Sequence, residues 1–153
     1  MALSKGVQRF LANTPGLDFD IGEMTETTHT AQEAADAVGC SVAAIVKSLV
    51  FTIGDEPVLL LVSGPNRVNV DAVGSRLGVS LGKADAAQVK AVTGYSIGGV
   101  PPFGHVNAVR TFMDEDLLDL DRLWAAAGSA NAVFPIGPVR LRELSKAEII
   151  NVH

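Results

Sequence analysis

Cysteine, aromatic residues and positive charge are all scarce in this 153-residue chain, and each scarcity excludes something. Cys40 is the only cysteine, so no intramolecular disulfide forms and a cysteine-rich metal site is excluded. Aromatics make up 5% of the residues, which leaves Val, Leu, Ile and Ala to build the interior. Lys and Arg number 12 against 17 Asp and Glu, a formal net charge of −5. A protein that coats nucleic acid by neutralising phosphates is ordinarily basic, so DNA binding is not expected. A local basic patch on an acidic body would bind RNA weakly and in a salt-sensitive way. Long apolar runs are also missing: Val58 to Val62 is far too short to span a bilayer. Met1 to Arg9 lacks the apolar stretch of a signal peptide. A cytoplasmic protein without a membrane partner is expected.

With 48% hydrophobic and 19% charged residues, the composition is that of a folded domain with a well-filled interior. Length allows one domain, residues 1–153, and no repeat or linker interrupts it.

Leu3, Val7, Phe10 and Leu11 recur at helical spacing until Asn13-Thr14-Pro15-Gly16 stops them. Thr30-Ala31-Gln32-Glu33 reads as a capping box opening a second helix, and Gly39 stands where its C-terminal cap belongs. The period then changes. Ile45 to Ile53 and Val58 to Val62, separated by Gly54-Asp55-Glu56-Pro57, read as a hairpin of buried strands. Helices follow near Val70 to Leu77 and Asp85 to Val92, then a Gly/Pro-rich loop from Gly94 to Gly104. A strand near Asn107 to Met113 comes next, while Leu120 to Ala127 reads as either helix or strand. The tail offers a strand at Ala132 to Ile136, a helix opened by Pro138 and a last strand at Glu148 to Val152. Strands joined by hairpins and irregular links, without steady strand–helix alternation, predict one α+β domain.

In the first strand of the hairpin, Ile45, Lys47, Leu49, Phe51 and Ile53 share one face, and Val46, Ser48, Val50 and Thr52 the other. Lys47 therefore sits on the more hydrophobic face. Desolvation favours its neutral form, and such a residue is costly without a partner or a task. The plainer reading is a lysine near a strand start that snorkels to water or pairs with a carboxylate.

The segment Gly98-Gly99-Val100-Pro101-Pro102-Phe103-Gly104-His105 combines stiff prolines with glycines that let a ligand approach bare backbone N–H groups. Such a loop can hold a developing oxyanion; it can equally be a plain connection. It lacks the Gly-Lys-Ser/Thr ending of a phosphate-binding loop.

Taken with Thr30 to Ala35, Ile45 to Phe51 and the late stretch Ala127 to Phe134, these motifs resemble the YbaK/EbsC family. That family also supplies the editing domain of many bacterial prolyl-tRNA synthetases. The motifs run in the same order over about residues 24 to 150. The resemblance implies a compact mixed sheet, partly rolled into a barrel and surrounded by helices, and it decides Leu120 to Ala127 in favour of a strand. It implies hydrolysis of the ester that joins a small, wrongly attached amino acid, such as alanine or cysteine, to a tRNA, with proline tRNA the expected carrier. No metal and no organic cofactor are implied.

Carried over by motif, Lys47 is the catalytic residue, and Gly104 the glycine whose backbone helps hold the aminoacyl group. Ser48, beside the lysine, bears on substrate choice. Gly98, Gly99, Val100, Pro101 and Phe103 form the substrate-binding loop, with Asn131 from the late motif. His29 and His105 flank the motifs within reach of the pocket. The attacking group is expected to be water or, for a cysteinyl substrate, its own thiolate. The expected partners are the acceptor end of an aminoacyl-tRNA and an aminoacyl-tRNA synthetase. Arg67, Arg76, Lys83, Lys90 and Arg110 are the basic residues available to face the acceptor stem. Two other functions fit the same motifs: a module that binds aminoacyl-tRNA or a synthetase without turnover, and a hydrolase of another small aminoacyl ester.

Overall fold

The two most apolar stretches of the chain pair with each other. In the computed structural model, which describes residues 4–24 and 30–153, β2 (Ile45–Ile53) and β3 (Glu56–Ser63) form an antiparallel hairpin turning at Gly54 and Asp55. Its register sets Lys47 opposite Val62 and Phe51 opposite Val58. The other strands are short: β1 (Gly22–Glu23), β4 (Leu81–Lys83), β5 (Arg110–Asp114), β6 (Leu123–Ala126), β7 (Ala132–Ile136) and β8 (Glu148–Ile150). Together they make one eight-stranded sheet in the order β1-β7-β6-β2-β3-β5-β8, with β4 also on β2. The pairs β2–β6, β3–β5 and β5–β8 are parallel, and the rest antiparallel. This mixed α+β architecture is the one expected, and β6 settles the ambiguous stretch as strand.

Both faces of the hairpin are buried. Val46 and Val50 point into the larger core with Leu59, Leu61, Met113 and Phe134, covered by Val7 and Phe10 of α1 (Lys5–Asn13). Val89 of α4 (Ala86–Thr93) and Leu141 of α5 (Pro138–Ser145) complete that cover. Phe51, Val58, Leu60 and Phe112 point the other way, under Val73 of α3 (Val70–Leu77). A third cluster sets Ala34 and Ala35 of α2 (Ala31–Val38) against Ile45. The expectation that Lys47 shares the more hydrophobic face is corrected here. Its own strand is richer in large apolar residues on that face, but the neighbouring strands and three helices bring the larger core to the opposite one. Four of the few aromatic residues, Phe10, Phe19, Phe103 and Phe134, compensate for their scarcity by meeting, with ring centroids 4.7–5.9 Å apart.

The helix ends follow their expected chemistry. The Thr30 hydroxyl accepts the Glu33 N–H, and Gly39 closes α2 at φ +75°; Asp85 and Gln88 form a reciprocal capping box on α4. β5 begins three residues later than expected because Asn107 is occupied elsewhere: its amide donates to the carbonyls of Ala91 and Val92 at the end of α4.

Candidate functional site

Among the described residues β2 is the one strand with three partners, and they leave a gap. Along the edge opposite β3 it pairs with β6 only at Ile45 and Val46 and with β4 only from Phe51 to Ile53. Among the described residues no strand covers that edge between Lys47 and Val50. The Ala84 N–H reaches the Val50 carbonyl on this side, so by strand alternation the backbone N–H and C=O of Ser48 also face the gap. The sheet splits here, and a cleft opens in the split.

The cleft has two recesses that share Lys47, Ser48, Leu49, Ile97 and Val100. One, of about 480 Å³, adds Arg67 and Lys83, so that three cations and, among the described residues, no carboxylate line it. The other, of about 260 Å³, is walled by small and apolar side chains, among them Ala31, Ala34, Trp124 and Ala126. The Ser48 hydroxyl is buried and has no hydrogen-bond partner among the described residues. An unpartnered buried hydroxyl costs about 1–3 kcal/mol, and such a group at a cleft wall calls for a ligand.

Lys47 is half-buried, and its Nζ donates to the main-chain carbonyl of Asn66 at 2.5 Å. Asn66 is itself fixed. Its Nδ2 donates to Asp114 Oδ2 at 2.8 Å and Asp116 Oδ2 at 2.7 Å. Asp114 is fully buried and also accepts the N–H groups of Ser63 and Asp116. Burial lowers the Lys47 pKa, the Arg67 charge lowers it further, and Asp114 opposes both. At the outer end His153 Nε2 lies 2.9 Å from Asp116 Oδ2. The His153 hydrogen bond, then that of Asn66, hold the Asp116 carboxyl below the usual carboxylate range. Asn66 and Asp114 were not legible as site residues. The only sign was the turn Ser63-Gly64-Pro65-Asn66 directly after the partner strand of Lys47.

The glycine loop divides its residues between cleft and scaffold. Gly98 and Val100 line the cleft beside Lys47 and Ser48, and Gly98 takes φ +91°, which glycine adopts without strain. No described residue accepts from the N–H of Gly98 or Val100. Gly99 serves packing: a Cβ there would stand 2.8 Å from the Ser129 Cα, and its N–H already donates to the Ser96 carbonyl. The expectation of an open amide at Gly99 is therefore corrected.

Of the other predicted residues, Pro101, Phe103, Gly104, His105 and Asn131 do not line the cleft. Phe103 is buried in the aromatic cluster. The Pro101 carbonyl accepts the Nε2–H of His105 at 2.6 Å. Gly104, at φ +79°, turns its carbonyl to the Tyr95 hydroxyl at 2.8 Å and the Asn13 amide at 3.0 Å. Gly104 and His105 line a separate recess with Asn13. Burial, partly opposed by the Pro101 bond, lowers the His105 pKa. Asn131 ties its own turn to the segment after β1: Oδ1 accepts the Ser129 hydroxyl and Nδ2 donates to the Met24 carbonyl. His29 lies outside the described residues. Among the described residues no group of three His, Cys, Asp or Glu could hold a metal ion, and no helix is long and apolar enough to cross a membrane.

Residues 25–144 match the family model of the aminoacyl-tRNA editing domain. The chain is 28% identical over 131 residues to the uncharacterized protein YwhH of Bacillus subtilis (strain 168), covering 85% of this chain and 83% of that one. It is 36% identical over 94 residues to the proline–tRNA ligase of Nitratidesulfovibrio vulgaris (strain DP4). That match covers 61% of this chain and only 16% of the ligase. A solved structure described as a candidate trans-editing enzyme for prolyl tRNA synthetase superposes with a TM-score of 0.91. It is 37% identical, with 99% of this chain and 98% of that one covered.

Proposed function

We propose that this chain, which belongs to the aminoacyl-tRNA editing domain family, hydrolyses the ester between a small mischarged amino acid and the 3′-terminal ribose of a tRNA, with Lys47 as its catalytic residue. The observation that carries this reading is the split in the sheet. At one opening it gathers a lysine ammonium held in place and, among the described residues, a buried hydroxyl without a partner and two amides without acceptors.

The two recesses have the chemistry of the two halves of such a substrate. The apolar recess of about 260 Å³ takes the aminoacyl side chain, and its alanine walls suit a small one. The cationic recess takes the terminal ribose and its phosphate, facing Lys47, Arg67 and Lys83. The carbonyl then lies over the shared floor. Water adds its oxygen to the acyl carbon, the bond from that carbon to the ribose oxygen breaks, and the ribose oxygen receives a proton. The products are a free amino acid and a tRNA with its terminal hydroxyl restored. As the carbonyl oxygen gains negative charge, the Lys47 ammonium and the Gly98 and Val100 N–H groups oppose it; a single donor of this kind is worth roughly 10²–10³ in rate. An aminoacyl ester is already activated, so positioning and charge stabilisation suffice without a protein nucleophile.

Similarity to a proline–tRNA ligase and to a candidate prolyl trans-editing structure supports proline tRNA as the carrier, with alanine or cysteine as the wrongly attached residue. The test is deacylation of alanyl-, cysteinyl-, seryl- and threonyl-tRNAs at equal enzyme concentration. Rapid release from one or two of them names the substrate. Binding to all four without release from any would instead identify a non-catalytic module.

A further inference from the structure

On a chain of net charge −5, half of the positive side chains line two recesses set on either side of one loop. Lys47, Arg67 and Lys83 line the first, and Lys5, Arg9 and Lys90 the second. Those six are half of the 12 lysines and arginines, and among the described residues no Asp or Glu lines either recess. The ridge between them is the segment Ser96–Gly99, and Ile97 belongs to the rim of both.

We propose that the second recess binds the phosphodiester backbone of an RNA strand whose 3′ end enters the Lys47 cleft, the strand crossing the ridge at Ile97. This rests on the hydrolytic reading only for what sits in the first recess. The second recess has its own construction. Lys5 stands in the first turn of α1 and Lys90 in the last turn of α4. Both are exposed, and neither has a carboxylate partner among the described residues. Arg9 is drawn into the wall by donating to the Gly94 carbonyl. Gly6, Gly99 and Gly128 bring three backbones into contact there: a Cβ on Gly6 would fall 1.9 Å from the Gly128 oxygen. The result is a concavity of about 310 Å³ with a bare main-chain floor and a cationic rim.

That shape suits a strand of regularly spaced phosphates more than a lipid surface. A membrane would require a continuous apolar face, but the apolar side of α1, Val7 and Phe10, is fully buried in the core. What the ridge does expose is one aliphatic side chain, Ile97, at 60%, enough for a nucleobase to rest on. α1, which supplies Lys5 and Arg9, lies outside residues 25–144, the part that matches the family model, whereas Lys90 and the ridge lie inside it.

The experiment measures binding of an uncharged tRNA acceptor-stem hairpin, with its single-stranded 3′ end, as a function of salt, by fluorescence anisotropy. Wild type is compared with Lys5→Gln, Lys90→Gln and the double variant, and with a control, Arg122→Gln/Arg140→Gln, that removes two exposed charges lining neither recess. Matched thermal melting shows that all are folded. The log–log salt slope should fall by about 0.7–0.9 for each lysine removed, and stay at the wild-type value in the control. An unchanged slope in the double variant overturns the proposal. So does an equal drop in the control, which would report net charge alone. Binding of phosphatidylserine vesicles in place of the hairpin, lost in the same double variant, overturns it in favour of a membrane. Because the hairpin carries no amino acid, a reduced slope without any deacylation would uphold the RNA track while removing the hydrolytic reading.

Discussion

The Lys47 ammonium is seated on the main-chain carbonyl of Asn66, and the Asn66 side chain is tied to Asp114 and Asp116. A flexible four-carbon side chain is thereby given a fixed end point at the mouth of the cleft. Asn66 lines neither recess of the cleft; on the proposed reading it is a positioning residue, anchored by the fully buried Asp114.

Removing that anchor should separate position from charge. Asn66→Ala leaves the buried Asp114 carboxylate short of one donor, and a loss of about 1–3 kcal/mol in stability is expected. The rate with saturating substrate should fall more than the apparent affinity. Asp114→Asn removes the negative charge that opposes the lowering of the Lys47 pKa. The ammonium then loses its proton at lower pH, so the alkaline limb of the pH–rate profile moves down. A profile that keeps its wild-type limb in Asp114→Asn would show that Lys47 does not titrate in the reaction.

Ser48→Ala should affect stability and activity differently. The hydroxyl is buried without a partner among the described residues, so its removal leaves thermal stability unchanged or raises it by up to about 1 kcal/mol. Turnover should nonetheless fall, because a cleft donor and acceptor is gone. Equal losses in melting temperature and rate would mean that Ser48 is structural.

Gly99→Ala tests the scaffold role of the loop. Its Cβ would meet the Ser129 backbone at 2.8 Å, which a side-chain rotation cannot relieve. A cost of about 1–3 kcal/mol is expected from overpacking, together with lost activity as Gly98 and Val100 are displaced. Chemical denaturation with parallel rate measurements checks both.

His105 should make stability fall on acidification. Burial lowers its pKa below the ordinary value of 6.5, so between its folded value and 6.5 the unfolded chain holds a proton that the folded chain does not. Stability therefore declines as pH drops from about 6.5 through the folded value. His105→Gln, which keeps a donor for the Pro101 carbonyl, should flatten that decline between pH 7.5 and 5.5 when melting temperatures are compared.

Local chemistry made most elements legible. The hairpin, α3 and β7 stand where periodicity and turn residues place them, because each is set by its own apolar spacing and by glycine or proline at its ends. β4 went unread because three residues, Leu81–Lys83, are too few to show a period. Lys47 was legible as a charge among apolar neighbours, and Ser48 only as the residue next to it. The split that joins them was hidden, since it depends on which strands stop short beside β2. Gly104 was expected at the cleft from the family motif and His105 because it flanks that motif. The chain turns away at Pro101 and Pro102, and their polar groups are taken up by Tyr95, Asn13 and Pro101.

The most direct measurement is the initial rate of deacylation of alanyl- and cysteinyl-tRNA by wild type and by Lys47→Ala, at equal concentration and with matched circular dichroism. A folded variant slower by at least about 10² is expected, the scale of a lost charge-stabilising donor. Release at the wild-type rate by folded Lys47→Ala would contradict a lysine-centred site.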